Sequence, residues 1–390
     1  MKAFVADAQW EPKKGYTPTV REIARKRASI GSSVWRNPTF ELKDIPTPNI
    51  CDSDELLIAV KRCGICGSDS HLYETTPDGY IQFSGPVSLP QVIGHEYSGV
   101  VVKTGGKVRN FKEGDIVAVE SIHWCGSCTP CRSGAFNQCE NVELIGITAP
   151  GALAEFITAK ERHCWSINSL RRMYSEEECF DLGALIEPVG CAYNGIFIGG
   201  GGIKPGAAVA VFGAGPIGLA AVALSRLAGA NLTIAFDIHN KRLDIAKDLG
   251  ADYVFNVNSL EKTGILPREK ILELTDGYGA EMQIEAAGAA RRTVPEMENS
   301  LAVNGKLIYL GRSAASAEVM LDILVSGANS IIGARGHSGY GIYNNIIRLL
   351  STGRLQIKNM ITSYYDFNET LTALKKSVER QDGKCMIRLG

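Results

Sequence analysis

The sequence predicts a two-domain α/β protein in which a compact all-β unit precedes a doubly wound parallel sheet. From Phe40 onward the chain has the pattern of short strands and turns, with β-rich stretches at 55–63, 97–104 and 115–120. From about Gly190 strands alternate with helices, as in a parallel sheet covered on both faces. A glycine-rich turn joins the first of these strands to the first helix. The 390 residues suffice for two domains, each with its own core.

Composition excludes several classes of partner. Lys and Arg number 41 and Asp and Glu 42, which leaves no basic footprint for nucleic acid and no basic block for a membrane surface. Residues 1–15 lack the apolar core of a secretory signal. The uncharged stretch 207–224 could pass for a membrane span, but Pro216 and three glycines in it fit a strand, a turn and a helix better. We therefore expect a cytoplasmic protein.

The first 40 residues differ from the rest. Residues 1–5 are predicted to form a short strand, and residues 13–33 are polar. The basic run 21–27 is predicted to form a solvated helix face rather than a binding patch.

The glycine turn follows an apolar strand at 209–212 and opens a helix at 216–228. Its residues are Gly213, Gly215, Pro216, Ile217 and Gly218. Such a turn lets backbone N–H groups reach a pyrophosphate at a helix N-terminus. Asp237 ends the next strand, where its carboxylate can accept hydrogen bonds from the adenosine ribose. An ordinary tight turn between a strand and a helix is the alternative.

Further strands are predicted at 253–255, 282–285, 306–310 and 330–332, which gives a sheet of about six with a dinucleotide at its carboxyl edge. Leu310 and Gly311 follow the fifth strand and are expected to approach the nicotinamide. A carboxylate at Asp237 repels a 2′-phosphate, so the sequence favours NAD over NADP.

Four cysteines are clustered between positions 125 and 139: Cys125, Cys128, Cys131 and Cys139. Four thiolates can close around one tetrahedral zinc and leave no open position, which makes a structural site. An iron–sulfur cluster and a set of buried free thiols are the alternatives.

A second set of possible ligands is scattered along the chain and comprises Cys66, His95, Glu96 and Glu187. One thiolate, one imidazole and one or two carboxylates would bind zinc and leave an exchangeable position, as in a catalytic site. Taken singly, each residue could instead be a buried thiol, a core histidine or a helix-end carboxylate.

These motifs occur in the order found in the zinc-dependent medium-chain dehydrogenases of the alcohol and sorbitol dehydrogenase type, which the chain resembles from Phe40 onward. The resemblance implies a GroES-like β-barrel catalytic domain at 1–189, completed by 338–390. It implies a Rossmann dinucleotide-binding domain at 190–337. It also implies a homodimer or homotetramer.

The resemblance assigns Cys66 and His95 as ligands of a catalytic zinc. Glu187 lies where liver-type alcohol dehydrogenases have a cysteine, so the chain looks like the polyol and threonine branch. In that branch Glu96 is the expected third ligand, and Glu187 would hold the zinc water or exchange with Glu96. Ser68 and His71 resemble the family's proton relay, although they could be a turn residue and a helix-face residue. Arg242 is expected beside the adenine, or else on the surface.

The implied reaction moves a hydride between an alcohol carbon and a nicotinamide while the zinc acidifies the hydroxyl. The expected pocket residues are polar and suit a polyhydroxylated substrate: Tyr73, Glu74, Tyr80, Gln82, Arg335, His337 and Ser338. Residues 13–39 form an insertion that, with the stretch 336–339, resembles a subgroup containing inosose dehydrogenases. We expect a cyclitol, inosose, aminocyclitol or sugar alcohol. L-threonine and sorbitol are alternatives, as is a non-catalytic nucleotide-binding relative without zinc.

Overall fold

The computed structural model describes residues 1–312 and 316–390. Contacts divide the chain into two compact units. The first comprises Met1–Glu187, Ser363–Glu379 and Lys384–Gly390, and the second comprises Pro188–Thr362 and Arg380–Gly383.

The first unit is built mainly of strands, as predicted. Its strands up to residue 187 are β1 (Lys2–Trp10), β2 (Arg27–Ala28), β3 (Trp35–Asp44), β4 (Glu55–Gly64), β5 (Val87–Ser88), β6 (Gln91–Val92), β7 (Glu96–Thr104), β8 (Ile116–Val119), β9 (Ile122–His123), β10 (Glu143–Leu144), β11 (Phe156–Lys160) and β12 (Cys164–Ser166). Its helices are α1 (Val20–Arg25), α2 (Gly67–Tyr73), α3 (Thr129–Arg132) and the start of α4 (Glu176–Tyr193). The basic run therefore does form a helix, and the first strand is longer than predicted.

Alternation of apolar and polar residues explains the main sheet of this unit. On β4, Leu56, Ile58 and Val60 are buried in the core, because successive side chains of a strand point to opposite faces. This strand pairs antiparallel with β7, so that Gly64 lies opposite Glu96. The sheet therefore brings the end of one strand beside the start of the other.

The second unit is the predicted parallel sheet. Its strands are β13 (Ala208–Phe212), β14 (Leu232–Asp237), β15 (Tyr253–Asn256), β16 (Ala280–Glu285), β17 (Leu301–Tyr309) and β18 (Ser330–Gly333). Its helices are α5 (Pro216–Leu227), α6 (Asn240–Asp248), α7 (Val257–Thr263), α8 (Pro267–Leu274), α9 (Ala290–Glu298), α10 (Leu321–Gly327) and α11 (Ile342–Ser351). The strand order, β15-β14-β13-β16-β17-β18, is that of a dinucleotide-binding sheet whose order reverses beside β13. Every residue of β13 is buried, as expected of a central parallel strand.

The chain ends with β19 (Ile361–Asp366), α12 (Thr370–Val378) and β20 (Lys384–Arg388). It rejoins the first unit at Ser363, whereas the sequence analysis drew that return at residue 338. The intervening helix α11 lies in the second unit and packs against other parts of it. Asn345 Nδ2 donates to Tyr193 Oη at 3.1 Å, and a Cβ on Gly190 would lie 3.5 Å from Ile342 Cγ2.

Among the described residues, one helical segment, Glu176–Gly199, is long and apolar enough to cross a membrane by length and composition. Within its most apolar 18-residue stretch, 72% is buried inside the protein, which is typical of a core helix. Glu187 and Pro188 lie within α4.

Candidate active site and metal clusters

The first cluster combines Cys66, His95 and Glu96, whose ligand atoms all lie within 4.8 Å of one another. Cys66 caps the N-terminus of α2 just after β4, and Glu96 begins β7. Two glycines make this approach possible. A Cβ on Gly64 would lie 2.3 Å from Glu96 Oε2, and Gly94, at φ +86°, has no room for one beside Leu153.

Asp69 supports this cluster from the first turn of α2. It is completely buried, its Oδ2 accepts the Cys66 backbone N–H at 2.9 Å, and its Oδ1 lies 4.0 Å from His95 Nδ1. Burial alone would lower the pKa of His95, but the negative charges of Cys66, Asp69 and Glu187 outweigh it and raise that pKa well above its ordinary value. A carboxylate behind a histidine is the usual support for a metal ligand. Asp69 is not among the site residues that were predicted from the sequence.

Of the two expected relay residues, only Ser68 contacts the cluster, with its Oγ 3.4 Å from His95 Nε2. His71 lies one turn further along α2, where its Nδ1 is 3.2 Å from Glu74 Oε2. Residues three apart on a helix share a face, so Ser68 and His71 lie in one row.

Glu187 is buried, and its Oε1 accepts a hydrogen bond from Ser121 Oγ at 2.9 Å. Among the described residues, the group that could hold one ion comprises Cys66, His95 and Glu96 without Glu187. This geometry favours Glu96 as third ligand, with Glu187 beside the cluster, and the assignment stays a prediction.

Lys384 is the residue that the sequence analysis missed. Its Nζ lies 2.7 Å and 2.5 Å from the two oxygens of Glu96 and 3.0 Å from Ile65 O. Burial alone would lower the pKa of Lys384, but the facing carboxylate of Glu96 raises it, so the ammonium stays charged. The signal in the sequence was weak: a lysine opening the otherwise apolar run 385–387.

The four cysteines of the second cluster, Cys125, Cys128, Cys131 and Cys139, also have sulfur atoms within 4.8 Å of one another. Backbone N–H groups of Cys125 and Asn141 donate to Cys139 Sγ, each at 3.3 Å. Hydrogen bonds from Ser127 and Cys128 lower the pKa of Cys125 to about 5, whereas burial raises that of Cys131 to about 12. Four sulfurs at this separation fit one ion in a closed tetrahedral shell.

The glycine turn has the shape that a dinucleotide requires. Gly213 has φ +94°, and a Cβ on it would lie 2.6 Å from Ala287 N, so β13 and β16 approach too closely for a side chain there. A Cβ on Gly218 would lie 1.7 Å from Gly213 O. At Gly215 the nearest atom to such a Cβ is Arg242 Nη1 at 3.6 Å, which leaves the backbone open to a ligand. Pro216 and Ile217 begin α5.

Asp237 closes this turn. Its Oδ2 accepts the Ala214 N–H at 2.6 Å, and its Oδ1 accepts the His239 N–H at 2.8 Å. Arg242 lies nearby, where its Nε donates to Asp382 O at 2.9 Å. At the ends of the neighbouring strands, the N–H groups of Leu310 and Gly311 both donate to Glu285 O at 2.9 Å.

Some expected pocket residues are enclosed instead. Tyr80 is buried, with Lys13 Nζ 4.5 Å from its ring centroid, because the N-terminal insertion covers it. His337 and Ser338 are completely buried, and Asn194 Nδ2 holds the Arg335 carbonyl at 3.1 Å. Tyr73 packs on Phe40 with ring centroids 5.4 Å apart. Glu74 is half-buried, and Gln82 is the exposed member of the set.

A dinucleotide turn at the edge of a parallel sheet and two thiolate-containing clusters together define a zinc-dependent oxidoreductase. Family models agree: residues 52–169 match the alcohol dehydrogenase GroES-like domain, and residues 216–352 match the zinc-binding dehydrogenase domain. The chain belongs to the zinc-dependent alcohol dehydrogenase family, and it is an enzyme of that family. The predicted combination of a GroES-like domain with a Rossmann sheet is thereby confirmed.

Individual relatives span nearly the whole chain. The scyllo-inosose 3-dehydrogenase of Thermotoga maritima is 36% identical over 90% of this chain and 91% of its own length. The L-threonine 3-dehydrogenase of Bacillus licheniformis is 32% identical over 94% and 98%. A solved structure from Thermotoga maritima, described as a candidate alcohol dehydrogenase, is 33% identical with a TM-score of 0.94, covering 99% of each chain.

Proposed function

We propose that this enzyme transfers a hydride between a secondary alcohol of a polyhydroxylated small molecule and NAD, and between the matching ketone and NADH in reverse. The substrate would be a cyclitol, an inosose, an aminocyclitol or a sugar alcohol. The observation that carries this proposal is the cluster of Cys66, His95 and Glu96 beside a row of polar side chains on α2. The similarity to a scyllo-inosose dehydrogenase supports a cyclic polyol, and the similarity to a threonine dehydrogenase keeps L-threonine as the second candidate.

The donor set of the first cluster fits a catalytic zinc, because one sulfur, one ring nitrogen and one carboxylate leave a coordination position for substrate. Bound zinc would supply Lewis acidity and lower the pKa of the substrate hydroxyl. Asp69 orients the site by holding the Cys66 backbone and facing His95. Ser68 Oγ would accept the substrate hydroxyl proton as its own hydroxyl proton leaves toward His71, which lies on the same helix face, is partly exposed and would release a proton to solvent.

The glycine turn fits a dinucleotide, since Gly215 offers open backbone at the N-terminus of α5. Bound NAD would supply the hydride acceptor. Asp237 holds the turn through Ala214 and presents a carboxylate where a 2′-phosphate would be repelled, which supports NAD over NADP. Arg242, near Gly215, supplies positive charge on that side of the turn.

The four-cysteine cluster would bind a second zinc with a structural role, which gives two zinc ions per chain. The eleven cysteines, which all lie in the described part of the chain, form no disulfide bond there, as expected of a protein in the reducing cytoplasm, where we place it.

We also propose that the chain forms a homodimer through β18. This strand is last in its sheet, and apolar side chains around it are exposed, including Leu321 at 70% and Val325 at 80%. A second copy that continued the sheet would satisfy the open edge and cover these side chains. Pairing of two such dimers would give the homotetramer.

Activity and metal content together test the proposal. Purified protein should contain two zinc ions per chain and reduce NAD with myo-inositol or a sugar alcohol faster than with L-threonine. NADP should be a poor acceptor. Preference for L-threonine would retain the zinc chemistry and overturn the substrate class, whereas a protein that contains no zinc and oxidises no alcohol would be a nucleotide-binding relative.

A further inference from the structure

The N-terminal insertion, residues 13–39, packs along residues 78–88, a segment that precedes the turn carrying His95. The two stretches share backbone hydrogen bonds: Ser32 N to Phe83 O at 2.8 Å, Gly31 N to Gly85 O at 2.9 Å and Ile81 N to Trp35 O at 3.1 Å. In addition, β2 pairs with β5. These hydrogen bonds hold residues 78–88 in place against the insertion.

Side chains reinforce this contact. Within residues 78–88, Ile81, Phe83 and Val87 are buried in the core that also contains Val34 and Trp35. A Cβ on Gly31 would lie 2.8 Å from Phe83 O, so the backbones meet at closest approach there. Because alternate residues point inward, Gln82 points outward and is exposed.

One buried carboxylate holds the insertion together. Glu22 accepts hydrogen bonds from Tyr16 Oη at 2.7 Å, Ser29 N at 2.7 Å and Thr19 N at 2.8 Å, and it is only 6% exposed. It therefore ties the residues before α1 to those after it. No atom of this arrangement belongs to the zinc cluster or to the polar row on α2.

The backbone of residue 82 is hydrogen-bonded to the C-terminal end of α2, and the Gln82 side-chain Nε2 donates to Thr75 O, next to Glu74, at 3.4 Å. The Gln82 N–H lies 2.9 Å from His71 O and 3.1 Å from Glu74 O. Ser68 and His71 are three residues apart on α2, and Ser68 contacts His95. Glu74 follows the last residue of the helix, and its Oε2 lies 3.2 Å from His71 Nδ1. Gln82 is thereby fixed beside Glu74, at the end of α2 away from Ser68 and His95.

We propose that the insertion is a specificity element, which positions Gln82 beside Glu74 so that the two side chains bind substrate hydroxyl groups remote from the reacting carbon. This inference rests on the proposed function. The Gln82 amide can donate and accept, and the Glu74 carboxylate accepts, which matches vicinal hydroxyl groups. A simple alcohol lacks those hydroxyl groups and cannot hydrogen-bond with Gln82 and Glu74. The enzyme would therefore prefer the polyhydroxylated substrate by the free energy of those hydrogen bonds. Glu22 acts through Gln82 as a positioning residue.

Steady-state kinetics on the zinc-loaded, full-length protein tests the inference with two probes, myo-inositol and 2-butanol. Gln82→Ala should raise KM for myo-inositol roughly three- to tenfold, the effect of one hydrogen bond, while kcat and the kinetics with 2-butanol stay within about twofold. Glu22→Gln places an amide where Thr19 N–H donates, and should raise the same KM. The double variant should be no worse than Gln82→Ala, because both changes act through one side chain. Glu41→Gln, an exposed carboxylate on β3, is the matched control and should change nothing.

Other outcomes separate the two proposals. Three results would overturn the specificity role and leave the proposed function standing. They are an equal rise in KM for both probes, additive rises in KM in the double variant, and an unchanged KM in Gln82→Ala. A wild-type enzyme that oxidises neither myo-inositol nor a sugar alcohol would overturn the proposed function and this inference with it. If Glu22→Gln does not fold, Tyr16→Phe removes one hydrogen bond to Glu22 and should give a smaller rise in the same KM.

Discussion

Lys384 and Glu96 form a buried ion pair in which the ammonium lies 2.7 Å and 2.5 Å from the two carboxylate oxygens. Both residues are about 1% exposed. Lys384 also donates to Ile65 O, next to Cys66, so it joins β20, β7 and the turn that carries the Cys66 thiol. Burying two charges is costly, and the two contacts fix the direction of the Glu96 carboxylate within the cluster of Cys66, His95 and Glu96.

Lys384→Met should destabilise the metal-free protein by about 3–5 kcal/mol, because without zinc it leaves the Glu96 charge buried without a partner. Urea unfolding, with zinc content measured on the folded protein, checks this. Adding Glu96→Gln should recover much of the stability but none of the activity. Lys61→Met, which removes an exposed lysine bonded to Gly390 O, is the control. A Lys384→Met protein as stable as wild type would show that the pair does not hold the site.

Cys66→Ser should lower zinc from two ions to one per chain and abolish turnover, yet leave folding and NADH binding nearly intact. Cys131→Ser should lose the other ion and reduce stability, because a structural zinc contributes its binding energy to folding. Metal analysis and thermal unfolding distinguish the two. Cys51→Ser, at an exposed cysteine, is the control. Iron in place of zinc would favour an iron–sulfur cluster at the four cysteines. Unfolding of Cys66→Ser would show that the structural role had been assigned to the wrong cluster.

Local patterns predicted the features that depend on neighbours in sequence. The four cysteines lie within one short loop region, and the glycine turn between a strand and a helix specifies its own geometry, so both could be recognised directly. The alternation of strands and helices likewise predicted the parallel sheet, because a crossover helix is what parallel strands require.

Contacts between distant residues could not be predicted in this way. Lys384 and Glu96 are 288 positions apart, and nothing local marks a lysine as the partner of a particular glutamate. Tyr80 looked like a pocket residue because tyrosine is polar at one end. The insertion encloses it with Lys13 and Arg36 over its ring, a contact that only the folded β1–β3 region creates. The return of the chain at Ser363 rather than 338 has the same origin, since the packing of α11 decides it.

Asp237→Asn should weaken the discrimination between coenzymes. The amide keeps an oxygen for one of the two backbone N–H groups that Asp237 accepts, but it loses the charge that repels a 2′-phosphate. The ratio of kcat/KM for NAD to that for NADP should fall roughly tenfold or more, a loss of about 1.4 kcal/mol in selectivity. Asp252→Asn is the control, because Asp252 also accepts a backbone N–H, from Thr233 at 2.8 Å. An unchanged ratio would place coenzyme selection elsewhere.

Val325→Asp should dissociate the proposed dimer, because it puts a charge among the exposed apolar side chains beside β18. Light scattering after size exclusion should show a mass of two chains for wild type and one for the variant. Val20→Asp, at a position that is also exposed but lies on α1, should leave the mass unchanged. A wild-type protein that is monomeric at all concentrations would refute the dimer.

Glu22 should make the stability of the insertion dependent on pH. Burial alone would raise the pKa of Glu22, but hydrogen bonds from Tyr16, Ser29 and Thr19 outweigh it and lower that pKa from 4.5 to about 2. A carboxyl with a depressed folded-state pKa stabilises the protein above its unfolded pKa and loses that contribution as the pH falls toward the folded value. The contribution of Glu22 to the free energy of unfolding is therefore lost between about pH 5 and pH 2. About 1 kcal/mol of that contribution is lost by pH 4.

The comparison that isolates this contribution is the difference in unfolding free energy between wild type and Glu22→Gln at pH 7 and at pH 4. Acid also weakens zinc binding, but it does so equally in wild type and in Glu22→Gln. The loss of zinc therefore cancels when the unfolding free energies of the two proteins are subtracted. Glu22→Gln should be less stable at pH 7, and the gap should shrink by about 1 kcal/mol at pH 4, because only wild type has the titrating carboxyl. Glu41→Gln, whose carboxylate is exposed beside Lys43, should show no such gap. A difference that stays constant or grows on acidification would mean that Glu22 is not held as a charged acceptor.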